Sequence, residues 1–236
     1  GKMQATKAAN NDYSEVDLII QREDKAEIHC SLKFSKYSSF VNTKSAGIKS
    51  FISKYFISED SPELQREFND FWEMKYESFA REIHQSVDLE YTHLFDNWIL
   101  HREESLPGEL NKPLKQILHD FYSDINSKLA ADLEHLYAVS PRQFKDSLYA
   151  LLGFSKENVV QVCLFYKKTE NKFKFDHVQI HKLSYAKKLL DQKLIIKRNR
   201  TNIEIQGNKL VLQIRLKPMN TFTQKGYKIN CSVKFS

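Results

Sequence analysis

Residues 17–33 read DLIIQREDKAEIHCSLK, and they carry the side chains of this chain best spaced for chemistry. Asp17 opens one short β-rich run, and Lys33 closes the next after a charged turn, Arg22-Glu23-Asp24-Lys25. So short a connection predicts an antiparallel hairpin. In the second run alternation puts Ile28, Cys30 and Leu32 on one face and Glu27, His29, Ser31 and Lys33 on the other. An acid and a lysine at matched ends of paired strands suit work on a phosphodiester. The carboxylate can hold Mg²⁺, which takes oxygen ligands and keeps several waters. The lysine can steady an attacking water or the charge that develops on the phosphate. A lysine ending a strand also serves simply to keep a sheet edge from aggregating, and spacing alone leaves that alternative open.

At these residues the chain resembles the PD-(D/E)XK nucleases, in particular type II restriction endonucleases. Their pattern is an acid on one strand followed by D/E-x-K on the next. Asp17 matches the first acid and Lys33 the lysine, while Ser31 stands where the second acid belongs. The resemblance implies a Mg²⁺ held by Asp17 and by a carboxylate from elsewhere, with Glu27 the nearest acid on the Lys33 face and Asp12, Glu15 and Glu59 also available. Ser31 is then a site residue without being a strong ligand. The order of a hairpin ending in Ser-Leu-Lys, a hydroxyl- and lysine-rich loop, a helical middle and a terminal β region is similar in texture to the GGCC-recognising four-base cutters. The implied activity is site-specific hydrolysis of double-stranded DNA. A palindromic target further implies a two-fold homodimer.

Other groups fit a polyanion. Residues 35–46, SKYSSFVNTKSA, read as a loop, and Lys36, Tyr37, Ser38, Asn42, Lys44 and the following Lys49 offer phosphate contacts. Lys197, Arg198 and Arg200 form a basic run near the C-terminus, and Arg215 shares a strand face with Gln213. With Asn220 and Gln224 in the turn 219–226, these are candidates for contacts to DNA, since Arg pairs with guanine and Asn or Gln with adenine.

The elements that must position these groups follow from the wider pattern. Apolar residues make up 41 % of the 236 residues, enough for a real core, and Gly and Pro are scarce, so long regular elements are expected. Helical spacing runs through Leu64, Phe68, Trp72, Tyr76 and Phe79, and again through Leu114, Leu118, Phe121, Ile125 and Leu129. Ser140-Pro141 opens a further helix that ends at Gly153. Beyond it the chain is rich in β-runs. The expected fold is α+β, a mixed-sheet nuclease core with a helical middle. Residues 1–60 hold the hairpin and phosphate-facing loop, 61–153 the helical segment, and 154–236 a β-rich region that carries part of the DNA recognition, all within one compact unit.

The net charge of +6 favours an anionic partner. Three widely separated cysteines argue against a disulfide framework or a zinc site and suit a reducing cytoplasm. The histidines lack metal spacing, and no phosphate-cradling glycine motif exists. No apolar run is long enough to span a membrane, and polar residues 1–14 are no signal peptide. The abrupt start suggests a true N-terminus further upstream. Two other readings remain open: a non-catalytic basic nucleic-acid-binding module, and a helical protein-interaction domain.

Overall fold

The computed structural model describes residues 2–5, 16–36, 40–154, 158–169 and 172–235, with the side chains of 2–5 excepted. The fold is α+β, with two five-stranded sheets and a helical segment inserted between strands of the first.

The expected hairpin is present. Strand β2 (Leu18–Gln21) pairs antiparallel with β3 (Glu27–Lys36), placing Leu18 opposite Cys30. With β1 (Lys2–Ala5), β5 (Val159–Thr169) and β6 (Lys172–Lys182) they form the first sheet, in the order β1-β2-β3-β5-β6. Among the described strands only β3 and β5 run parallel, with Ser31 opposite Gln161 and Lys33 opposite Cys163. A parallel pair needs a crossover, and here it is long, carrying one further strand and every helix up to residue 151.

That strand is β4 (Val41–Gly47), which corrects the expectation of a loop over 35–46. Its sequence, VNTKSAG, lacks an apolar alternation. Its extended form comes from pairing with β10 (Tyr227–Phe235), far away in sequence. The Thr43 hydroxyl reinforces the pair by donating to the Cys231 carbonyl at 3.2 Å. With β7 (Ile195–Arg198), β8 (Ile203–Gly207) and β9 (Leu210–Pro218) these make the second, antiparallel sheet, ordered β4-β10-β9-β8-β7.

After a 3₁₀ turn at Ile48–Ser50, the helices are α1 (Phe51–Tyr55), α2 (Ser61–Gln85), α3 (Asp96–His101), α4 (Lys112–Val139) and α5 (Pro141–Leu151). Pro sits in the first turn of α2, α4 and α5, where a missing N–H costs nothing. Asn111 caps α4 by accepting the Leu114 N–H at 3.1 Å. The helix that carries the Leu64–Phe79 stripe stops at Gln85. The following segment holds Asp88 and Leu94 at positive φ, and α3 then starts anew. A further helix, α6 (Leu183–Leu190), has no counterpart in the sequence reading.

The helical stripes lie at the centre of the molecule. Phe68, Trp72, Tyr76 and Phe79 of α2 and Phe121 of α4 are buried in one cluster with Phe95, Phe222 and Tyr227. Tyr76 and Tyr227 both donate to the Phe222 carbonyl at 3.1 Å, which fastens the turn between β9 and β10 to this core. Cys163 and Phe165 bring one face of the first sheet into the same core. Among the described residues no helix is long and apolar enough to cross a membrane.

A candidate site in a lysine-lined groove between the sheets

Asp17 stands at the open end of β2, held at two points. Its N–H donates to the Cys30 carbonyl at 2.9 Å, and its carboxylate Oδ2 accepts the Leu32 N–H at 2.7 Å. The second bond puts the acid directly on the Ser31-Leu32-Lys33 segment. Asp17, Ser31 and Lys33 then line one groove of about 860 Å³, whose opposite wall is β4 and β10 of the second sheet. The sequence pattern therefore brings together the acid and the lysine it singled out, with Ser31 between them.

The far wall is basic and polar. Asn42 and Lys44 from β4, Lys54 and Tyr55 from α1, and Lys228 and Asn230 from β10 line it, with Met219 at one rim. Among the described residues four lysines thus share the groove with one carboxylate. The adjoining surface of the second sheet extends the positive field. Lys217 pairs with Lys228 and Arg215 with Asn230, so these side chains share a face. Burial first, then the charges of Arg215 and Lys228, hold the Lys217 ammonium below its ordinary value. Lys33 is felt in the same way by its cross-strand neighbour. Burial pushes the Cys163 thiol up to about 11, and the Lys33 charge works against that rise. Such a groove attracts a polyanion and raises its local concentration.

The other expected residues lie elsewhere. Glu27 is four residues from Ser31 along β3, about 13 Å at a strand's rise per residue. Its carboxylate is engaged by His29 Nε2 at 3.0 Å, and it does not line the groove. Lys36 ends β3 on the opposite face of the sheet from Lys33. Lys49 is bonded to Glu73. Arg198 donates to the Ser127 hydroxyl at 2.5 Å, and Arg200 reaches Asp120 at 3.3 Å, so both are tied to α4. Lys197 pairs in β7 with Glu204 of β8. Asn220 and Gln224 are exposed on the turn beyond Met219. Glu59 is exposed just before α2, away from the groove lining. Tyr37, Ser38, Asp12 and Glu15 lie outside the described residues.

Groove residues that were missed include Lys54, Tyr55, Lys228 and Asn230, and a signal for the last two existed. In YKINCSVKF the apolar Tyr227, Ile229, Cys231 and Val233 are buried, so alternation aims Lys228 and Asn230 outward on one face.

A hard divalent cation accepts carboxylate, hydroxyl and amide oxygens together with waters. The Asp17 carboxylate and the Ser31 hydroxyl both line the groove at the Ser31-Leu32-Lys33 segment, and oxygen groups of these kinds fit that chemistry. Among the described residues no three His, Cys, Asp or Glu side chains gather into one cluster. Among the described residues a cation here would rest on one carboxylate and neutral oxygens. Comparison with protein-family models, with curated proteins and with solved structures finds no match in any of the three.

Proposed function

We propose that the protein is a Mg²⁺-dependent endonuclease that hydrolyses phosphodiester bonds of double-stranded DNA at specific sites, in the manner of a type II restriction enzyme. The observation that carries the reading is the 2.7 Å bond fixing the Asp17 carboxylate on Ser31-Leu32-Lys33 inside a groove walled by lysines. When bound, Mg²⁺ supplies charge neutralisation at the scissile phosphate and lowers the pKa of a water. Asp17 holds the cation, and Ser31 offers a weak neutral oxygen beside it. Lys33 places a fixed positive charge where negative charge develops on the phosphate. Lys44, Lys54 and Lys228 take neighbouring phosphates and set the register of the duplex. Arg215, Asn230 and Asn42 carry the donors and acceptors that can read base edges from the same face. A palindromic target is met by a homodimer, whose two-fold axis matches that of the site.

Supercoiled plasmid incubated with the protein and Mg²⁺ is expected to give discrete fragments, and none with EDTA or with Asp17→Asn. Retarded but uncut DNA under every condition favours a second reading, a non-catalytic DNA-binding module using the same lysines. What favours that reading is that the described residues give the groove one carboxylate. A third reading, a helical docking protein, draws no support from the aromatic stripe of α2, which is buried.

A further inference from the structure

We infer that the side-chain oxygen of Gln161 supplies the cation ligand missing at Ser31; the inference rests on reading the groove as a divalent-cation site. Gln161 lies directly opposite Ser31 in the parallel pairing of β3 and β5. Opposed residues in a ladder point to the same face, so Gln161 stands beside Ser31 at the strand spacing of about 4.8 Å.

Gln161 is 0 % exposed. Its amide Nε2 donates to the Leu152 carbonyl, an acceptor only, so the orientation of the amide is set. The other end, Oε1, is buried with no hydrogen-bond partner among the described residues. A buried amide oxygen without a donor or a cation is costly and rarely kept without a reason.

The backbone is shaped around this amide. Gly153 lines the groove and has φ +89°. A Cβ there would stand 2.4 Å from Gln161 Nε2, so a side chain at 153 would displace the amide. Gln161 itself lies behind the groove lining, next to two small residues that belong to it, Ser31 across the ladder and Gly153 at its amide. Amide carbonyl oxygens are ordinary ligands for hard divalent cations. A carboxylate from β2 and an amide oxygen from β5 would flank Ser31 from either side. In this chain the second oxygen of the site has moved one strand over.

The test is Mn²⁺ binding to the full chain without DNA, read by electron paramagnetic resonance. The wild-type protein is expected to bind, Asp17→Asn to lose binding, and Gln161→Met to weaken it by about tenfold or more. Adding Ser31→Glu to Gln161→Met is expected to restore affinity, a rescue that a merely structural glutamine would not give. If Gln161→Met binds Mn²⁺ as the wild type does while Asp17→Asn does not, this inference falls and the nuclease reading stands. If the wild type binds none, both fall. Should Gln161→Met fail to fold, ¹⁵N-labelled wild-type protein decides. Mn²⁺ is expected to broaden the Gln161 side-chain amide before that of any other glutamine, and earlier broadening elsewhere overturns the inference.

Discussion

The first sheet has two faces that could hardly differ more. One bears Asp17, Ser31, Lys33 and Gln161, polar groups that are buried or drawn into the groove. The other bears Leu32, Phe34, Phe175, Val178 and Ile180, and it lies open: Phe34 is 73 % exposed and Ile180 63 %, against 2 % for Ser31. A shallow depression lined by Ile20, Ile28, Val160 and Val162 runs along this apolar side. Alternation in β3 separates the two sets correctly, yet an apolar-inward rule would bury the wrong one. The reason is the crossover. The chain from β3 to the parallel β5 carries helices α1 to α5, and their core takes in Cys163 and Phe165 from the polar side of the sheet. Polar groups on that side are buried because the crossover covers them.

Substitutions on the two faces should therefore have opposite consequences. The largest effect is expected on the polar face. Asp17→Asn should cut DNA at least 10²–10³-fold more slowly, roughly what losing one preorganised electrostatic group costs, with unchanged melting. Trp72→Ala, in the core behind that face, should cost about 3–5 kcal/mol in a denaturant titration. Gly153→Ala should cost about 1–3 kcal/mol for a side chain at positive φ and should also disturb the Gln161 amide. Lys228→Ala should lower the slope of log affinity against log salt by about one, with folding intact. The smallest effect belongs to the apolar face. Phe34→Ser should change stability by no more than about 0.5 kcal/mol while reducing binding of a hydrophobic dye.

The same row of the sheet ends in a pH-sensitive group. His181 of β6 pairs with Gln161, and its ring stacks on Phe235 with centroids 3.8 Å apart. Burial lowers its pKa from 6.5 to about 4. Folded, it stays neutral down to about pH 4; unfolded, it takes a proton near its ordinary value. Between those limits the unfolded chain binds more protons, so stability falls as pH drops through the window and is untouched by this group above it. Melting curves of His181→Phe should flatten that acid-side loss.

Much of the site could be read from the sequence because it is local. Asp17, Ser31 and Lys33 belong to one hairpin whose register its short turn fixes, and alternation gives their common side. The helical stripes were legible for the same reason, since Phe68, Trp72, Tyr76 and Phe79 repeat at helical spacing within one element. What stayed hidden depends on distant pairing. VNTKSAG becomes a strand only because β10 pairs with it, and that pairing builds the far wall of the groove. Nothing near Lys197, Arg198 or Arg200 reveals that α4 holds the two arginines. Gln161 did leave a trace, a lone amide in the apolar run VVQVCLFYK. Its meaning needs the neighbour that β3 supplies.

The central claim is that Asp17 and Lys33 act together in the groove on DNA. It is tested most directly by sequencing the ends of plasmid DNA exposed to wild-type protein and to Lys33→Ala, each with Mg²⁺, at equal DNA occupancy. The expected result is a small set of recurring ends from the wild type and almost none from the variant, although the variant still binds. Recurring ends at the same rate from both proteins would contradict the claim, as would bound but intact DNA from the wild type.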